Sequence, residues 1–227
     1  MNRTLVFSLC AFALAICAMP TMADTLFSDL GPPGNVYDCC EGWTVSGTGT
    51  FGISFTSANL FTVSETARLW QIDLAVGWIM GDNTFYASIW TDSNGLPGTM
   101  VANALWQNLS SSQNFGGCCG LVTISGISGV TLTGGRSYFM ILGPMDINAT
   151  TWEAWNWNNQ GVNGLDLYSM DGGYTWESNG DGYPLGAFDV IGYQSCCGVP
   201  EPASLLLVGT GLFGMAGVAR RRLGRHS

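Results

Sequence analysis

The C-terminal stretch constrains this chain most, because seventeen consecutive residues at 203–219 carry no charge. Pro200 and Pro202 precede this run, and four arginines follow it within the last eight residues. As a helix, the run would extend for about 25 Å, at the short end for crossing the hydrocarbon core of a bilayer. Arginines favour the cytoplasmic side, so the part of the chain before the prolines is expected outside. We therefore predict a transmembrane helix over 203–219, separate from any folded domain.

Three parts in a fixed order make up this tail: a spacer at 199–202, the Gly-containing apolar span, and a basic cytoplasmic tail at 220–227. Proline fixes φ and biases its neighbours toward extended backbone, so the spacer should not be helical. The order resembles the PEP-CTERM sorting signal of exported Gram-negative proteins. The matching residues are Val199, Pro200, Glu201 and Pro202 before the span and Arg220, Arg221 and Arg222 after it.

The resemblance implies recognition by an exosortase, a membrane protease that cuts near the Pro-Glu-Pro. It also implies a sorting route that commonly accompanies exopolysaccharide production, in which the helix anchors the protein only transiently. The protein would then reach the cell surface or the extracellular matrix. The alternative is a permanent single-pass anchor with a chance Pro-Glu-Pro.

Residues 1–23 have the pattern of a secretory signal peptide. Arg3 supplies the positive start, 5–19 the apolar core, and Thr21-Met22-Ala23 a small-residue cleavage site. The secretion translocon and signal peptidase are therefore expected partners, and the mature chain is expected to begin at Asp24. A lipoprotein acylated at Cys17 is the alternative, although Ile16 fits that motif poorly.

The region between these signals, residues 24–198, is long enough for one domain with a sizeable core. It contains fifteen acidic residues and only two basic ones, Arg68 and Arg136, for a net charge of −13. Nucleic acid is excluded as a partner, because phosphate binding needs clustered basic residues. The region has no His or Lys, which excludes His-dependent nucleophiles, Lys Schiff bases and His-rich zinc sites. A glycosidase with a pair of carboxylates remains the catalytic alternative.

Short β-forming runs recur between Gly, Pro, Asn and Asp clusters, which predicts an all-β fold. We expect a two-sheet β-sandwich of jelly-roll type. The predicted strands are 70–76, 85–91, 99–106, 121–125, 128–133, 136–142, 150–157, 164–169, 174–177 and 187–193. The order of elements resembles bacterial extracellular β-sandwich domains that carry interchangeable surface anchors. That resemblance rests on Asn94-Gly95-Leu96-Pro97-Gly98, Val130 to Phe139, the Trp-rich strand at 150–157 and Ala187-Phe188-Asp189-Val190, and it implies no particular activity.

Six cysteines of the mature chain form three adjacent pairs: Cys39-Cys40, Cys118-Cys119 and Cys196-Cys197. An even count in an exported protein predicts disulfide bonds. Six thiols allow 15 pairings, and the sequence does not choose between bonds that join distant pairs and bonds between adjacent residues. Metal binding by these pairs is the alternative, which an oxidising compartment disfavours.

Trp155 and Trp157 would share one face of an extended segment beside Asn158 and Asn159, which suggests an aromatic platform for sugar rings with amides for their hydroxyls. The alternative is that these tryptophans fill the core. Loops at 156–166 and 171–182 are rich in Asp, Asn and Gly, so they suit either Ca²⁺ binding or tight turns. No other cofactor is indicated.

Together these patterns indicate a non-catalytic, exosortase-sorted surface or matrix protein associated with extracellular polysaccharide, with weak glycan binding as its activity. The alternatives are a secreted carbohydrate-active enzyme and a structural surface protein without a ligand.

Overall fold

Fourteen strands and one short helix cover residues 23–194, the part of the chain that this computed structural model describes. The helix α1 (Thr48–Phe51) lies between β2 and β3. In chain order the strands are β1 (Ala23–Ser28), β2 (Gly42–Ser46), β3 (Thr56–Thr62), β4 (Ala67–Leu74), β5 (Val76–Met80), β6 (Phe85–Asp92), β7 (Pro97–Leu109), β8 (Val122–Ser125), β9 (Thr131–Leu132), β10 (Ser137–Pro144), β11 (Trp152–Asn156), β12 (Asn163–Ser169), β13 (Glu177–Pro184) and β14 (Phe188–Gln194).

The strands pair antiparallel in three sheets. A six-stranded sheet has the order β13-β12-β3-β10-β6-β7, and a five-stranded sheet has the order β1-β14-β4-β8 with β9 also paired to β4. A small sheet of order β2-β11-β5 completes the set. The predicted all-β sandwich is confirmed, and the small sheet is an addition to the two that the sequence led us to expect.

The core lies where the three sheets meet. Successive side chains of a strand point to opposite faces, so Phe85, Ala87 and Ile89 all face inward from β6, and all three are fully buried. Phe188 on β14 meets the ring of Phe61 on β3 edge-on, with 5.4 Å between ring centroids, and so links the five- and six-stranded sheets. Burying one such side chain stabilises the fold by about 1.5–3 kcal/mol.

Three differences from the predicted strands stand out. The structure has strands β1, β2 and β3 in the first 40 residues of the mature chain, where none was predicted. The predicted strand 128–133 is reduced to Thr131–Leu132. The predicted strand 174–177 is wrong: residues 174 and 175 belong to a turn, and β13 begins at Glu177.

The two targeting segments fall largely outside the described residues. Of the predicted signal peptide only Ala23 is described, at the start of β1. The sorting tail 199–227 and Cys196-Cys197 also lie outside them. Within residues 23–194, no helix is long and apolar enough to cross a membrane.

Candidate functional site

The outer face of the six-stranded sheet is unusually apolar. Tyr86, Ser88 and Trp90 alternate with the core residues of β6 and therefore point away from the core. On the neighbouring β10, Ile141 lies opposite Ser88 and Phe139 lies opposite Trp90, so these two apolar side chains share the same face. An antiparallel sheet ordinarily turns a polar face to water. An apolar outer face therefore needs a covering element or a ligand.

A groove of about 600 Å³ runs across this face. We call it the aromatic groove, because four aromatic side chains line it. These are Tyr86, Trp90, Tyr174 and Trp176. Met100 and Leu105 of β7 border it, and both are more than a third exposed. None of the described residues that line it is Asp, Glu, His, Lys or Arg.

A glycine makes room for one wall of the groove. Gly143 on β10 lies directly opposite Tyr86. A Cβ atom at position 143 would lie 2.6 Å from the Tyr86 hydroxyl, so any larger residue would displace the tyrosine ring. Burial raises the pKa of Tyr86 above the usual value for a phenol. Since an ordinary phenol is already protonated at neutral pH, this hydroxyl can donate a hydrogen bond.

The Trp90 ring is fixed from two sides. Its indole Nε1–H donates a 3.0 Å hydrogen bond to the Ser88 hydroxyl two residues earlier on the same face. The ring also packs against the small apolar cluster that contains the buried Phe139 and Ile141. A ring held in this way loses little conformational entropy when a ligand stacks on it, which favours binding.

The loop from Ser169 to Trp176 forms the far wall, and Asp171 organises it. One Asp171 carboxylate oxygen accepts hydrogen bonds from the backbone N–H groups of Tyr174 (3.0 Å) and Thr175 (2.9 Å). The other accepts one from the Thr175 hydroxyl at 2.6 Å. These bonds, above all those from Thr175, lower the pKa of Asp171 to about 2.

Tyr174 projects from this loop with 90% of its surface exposed, while Trp176 packs against the Phe139 cluster at the base of the groove. The hydrogen bonds to Asp171 hold the backbone of this exposed residue in place. The loop thus presents an aromatic ring at the rim.

A second, smaller groove of about 340 Å³ opens on the opposite face of the same sheet. Trp43 and Phe55 line it together with Tyr168, whose hydroxyl donates a 2.7 Å hydrogen bond to Glu177. This groove lies on the face of the sheet that packs on the core, and it offers less space for a ligand than the aromatic groove.

The predicted glycan platform at Trp155 is wrong. Trp155 is completely buried, its ring packs against Phe188 with 5.5 Å between centroids, and its Nε1–H donates to the Ala187 carbonyl at 3.2 Å. Asn158 is also buried, and its amide donates to the carbonyls of Val162 and Leu185. Both side chains are structural, and for Trp155 this is what the core alternative predicted.

Trp157 and Asn159 are half-buried and engaged within the fold. The Trp157 ring packs at a tilt on Trp43, with 5.2 Å between centroids. The Asn159 amide donates to the side chain and the backbone carbonyl of Asn35, at 2.8 and 3.0 Å. These contacts tie the segment after β11 to strand β2 and to the loop between β1 and β2.

The aromatic groove was missed in the sequence, although its signal was present. The sequence shows that Tyr86, Ser88 and Trp90 share one face of a predicted strand. It does not show which face of that strand another sheet covers. The sequence predicts a strand at Tyr174, because aromatic residues favour strands, whereas the structure has Tyr174 in a loop.

Two of the cysteine pairs fall within the described residues. The structure joins Cys118 to its neighbour Cys119 in a disulfide bond. Cys39 and Cys40 are free thiols, with 3.9 Å between their sulfur atoms.

Three carboxylates are the other chemically notable groups: Asp73 and Glu153 are buried, and Asp189 is half-buried. Asp189 on β14 lies opposite Asp73 on β4, and the Asp73 carboxylate accepts hydrogen bonds from Thr123 and Gln71. Glu153 on β11 is fully buried and neither of its oxygens has a hydrogen-bond partner, so desolvation raises its pKa to about 8. None of these acids lines either groove.

In the segments considered for Ca²⁺, two of the acidic side chains are engaged in hydrogen bonds within the fold. Asp171 is occupied as described above, and Asp166 accepts 2.6 Å hydrogen bonds from Asn59 and Asn179. Among residues 23–194, no three His, Cys, Asp or Glu side chains are grouped so that they could hold a metal ion.

Comparison with known proteins identifies the tail. Residues 198–222 match the PEP-CTERM protein-sorting motif. The predicted sorting signal is thereby confirmed, and it marks an exported protein that an exosortase processes and that is sorted at the membrane to the cell surface. No curated protein matches the chain.

One solved structure that resembles the chain contains the cysteine protease and lectin-like domains of Cwp84, a surface-layer-associated protein of Clostridium difficile. The sequence identity is 14% and the TM-score 0.41, over 63% of this chain and 33% of that one. The chain therefore spans about a third of that protein's length.

Proposed function

We propose that this protein is a non-catalytic surface or matrix protein that binds a neutral polysaccharide in the aromatic groove. The observation that carries the proposal is the uncharged, aromatic lining of the groove in a domain whose net charge is −13. Ligand sites in proteins are mostly apolar clefts with a few placed polar groups, and the volume of this groove lies within their usual range.

The side chains in the groove suit sugar rings. A pyranose has an apolar face that packs on an aromatic ring and hydroxyls at its edge that need hydrogen-bond partners. Trp90 and Tyr174 offer ring faces, while the Tyr86 hydroxyl and the Gln107 amide offer hydrogen bonds. The charge of the domain repels polyanions, which favours neutral over acidic polysaccharides.

Two further points support this function. The tail matches a sorting signal whose route commonly accompanies exopolysaccharide production. Such a polymer is therefore expected where the protein is delivered. The catalytic alternative needs two carboxyl groups on either side of a glycosidic bond, and none of the described residues lining the groove carries one.

Affinity electrophoresis in gels that contain neutral or acidic polysaccharides tests the proposal. We expect retardation of the exported protein by at least one neutral glucan, mannan or chitin-type polymer and none by an alginate-type polyanion. Tyr174→Ala should weaken retardation at least five-fold, about 1 kcal/mol. Stability should not change, because the ring is 90% exposed.

Tyr183→Ala is the matched control, because Tyr183 is also exposed but lies outside the groove. It should leave retardation unchanged. Equal effects of the two substitutions, or no retardation by any neutral polymer, would overturn the proposal and favour a surface protein without a glycan ligand.

A further inference from the structure

The cysteine pairs Cys39-Cys40 and Cys118-Cys119 lie on two loops that touch. The first is the β1–β2 loop and the second is the β7–β8 loop. The backbone N–H of Gly116 donates a 2.8 Å hydrogen bond to the carbonyl of Cys39. The Tyr37 hydroxyl donates a 3.0 Å hydrogen bond to the carbonyl of Gly120. One loop is thus bonded to the other on both sides of the cysteines.

The two pairs are oriented alike. Cys39 and Cys119 are half-buried and pack against the same small apolar cluster, formed by Tyr37, Ala75 and Ala187. Cys40 and Cys118 are exposed to solvent. Each pair therefore has an inner sulfur on the shared cluster and an outer sulfur in water.

We propose that these two loops form one thiol–disulfide exchange site, in which Cys39 becomes joined to Cys119. The Cys39 thiolate attacks Sγ of Cys119, a new bond forms between the two sulfurs, and the bond between Cys118 and Cys119 breaks. Cys118 leaves as the thiolate and takes up the proton that Cys39 lost. One disulfide is consumed and one is made, so no external oxidant is needed.

The surroundings select Cys39 as the attacking thiol. The S–H···S contact with Cys39 is the largest cause of the raised pKa of Cys40, followed by the charge on Cys39 and then by desolvation and the carboxylates of Asp38 and Glu41. Exchange proceeds through the thiolate, so the raised pKa leaves Cys40 with less of the attacking form than an ordinary thiol has. Cys39 is also the thiol that shares the apolar cluster with its target.

The product would bind the β1–β2 loop covalently to the β7–β8 loop. The β1–β2 loop carries Asp38, whose N–H donates to the Trp157 carbonyl at 2.9 Å and whose carbonyl accepts from the Asn156 amide at 3.0 Å. The new disulfide would therefore fix the segment that is hydrogen-bonded to the end of β11 in the small sheet.

Tryptic mapping without reduction tests the proposal directly. The chain has no Lys, and cleavage after Arg68 and Arg136 places each cysteine pair of the mature chain on a different peptide. The folded exported protein is held near pH 8.5, where about half of an ordinary thiol is ionised, then blocked with N-ethylmaleimide in denaturant and digested. We expect peptides 24–68 and 69–136 to be recovered as one linked species that separates on reduction.

Cys39→Ser should abolish the link, whereas Cys40→Ser should retain it. Three outcomes would overturn the proposal. The first is separate peptides 24–68 and 69–136 in the wild type. The second is a link that survives in Cys39→Ser but is lost in Cys40→Ser. The third is a dominant link to the peptide that begins at Ser137 and contains Cys196 and Cys197.

Discussion

The ring of Trp155 packs directly on the backbone of Gly186. A Cβ atom at position 186 would lie 2.5 Å from Cε2 of the indole, so only glycine fits there. The neighbouring Ala187 accepts the indole hydrogen bond. The tryptophan and the chain before β14 are therefore one packing unit.

Two substitutions in this unit should destabilise the protein by different mechanisms. Trp155→Ala should cost about 3–5 kcal/mol, because it empties a fully buried site. Gly186→Ala should cost about 1–3 kcal/mol through overpacking. The double variant should cost less than the sum, because the added methyl group occupies space that the indole vacates. Unfolding in urea, followed by tryptophan fluorescence, measures all three.

Gly182→Ala is the control, because nothing lies within 4 Å of a Cβ at that position. It should change the free energy of unfolding by less than about 0.5 kcal/mol. Additive costs in the double variant would show that Trp155 and Gly186 are not coupled.

Buried acids should make the protein less stable as the pH rises. Desolvation raises the pKa of Asp29 and Glu153 to about 8 and that of Asp166 to about 7. Between pH 4.5 and these values the folded chain holds protons that the unfolded chain has lost. As the pH rises through this window, each group therefore reduces the free energy of unfolding by up to about 1.4 kcal/mol per pH unit.

Urea unfolding at a series of pH values between 5 and 8.5 checks this. Glu153→Gln cannot ionise, so its stability should fall less steeply with pH than that of the wild type. A free energy of unfolding that is constant or rises over this range would contradict the prediction.

The sequence predicted the fold class well because strand alternation and turn residues are local signals. The run 85–91 and the turn at 92–98 needed only neighbouring residues to be recognised, and the structure has β6 as Phe85–Asp92. The strand β3 was missed, although it lies inside the six-stranded sheet. About half of its residues, TSANLFT, are polar. The buried Asn59 is satisfied by donating a hydrogen bond to Asp166, which lies 107 residues later in the chain. No local pattern contains that partner.

The candidate site was harder to predict than the fold. Trp155 and Trp90 are both tryptophans in predicted strands, yet one is core and the other lines the groove. Which of them is covered depends on how three sheets pack, and the small sheet was not expected. The sorting motif was predictable because its three parts are contiguous and need no tertiary contact.

The sorting motif predicts loss of the tail near Pro200-Glu201-Pro202. We expect the short span and the arginines that follow to hold the chain in the membrane until the exosortase cuts. C-terminal mass spectrometry of protein from the surface fraction should therefore find chains that end near this motif. Peptides from 205–220 on surface-exposed protein would instead indicate a permanent anchor.

Asp171 should control the order of the loop that presents Tyr174. Asp171→Ala removes the acceptor for two backbone N–H groups and for the Thr175 hydroxyl, so the loop should open more often. Chymotrypsin should then cut after Tyr174 at least several-fold faster, and retardation by the neutral polysaccharide should weaken.

In the wild type the pKa of Asp171 is lowered to about 2. The carboxylate therefore contributes fully above the unfolded pKa near 4, and its contribution is lost only as the pH falls through about 2. Cleavage of the wild type after Tyr174 should accordingly stay slow from pH 5 to 7. Asp181→Ala makes the same change of charge on the exposed strand β13 and should leave the cleavage rate unaltered. Equal rates for wild type and Asp171→Ala would show that the loop is ordered by other contacts.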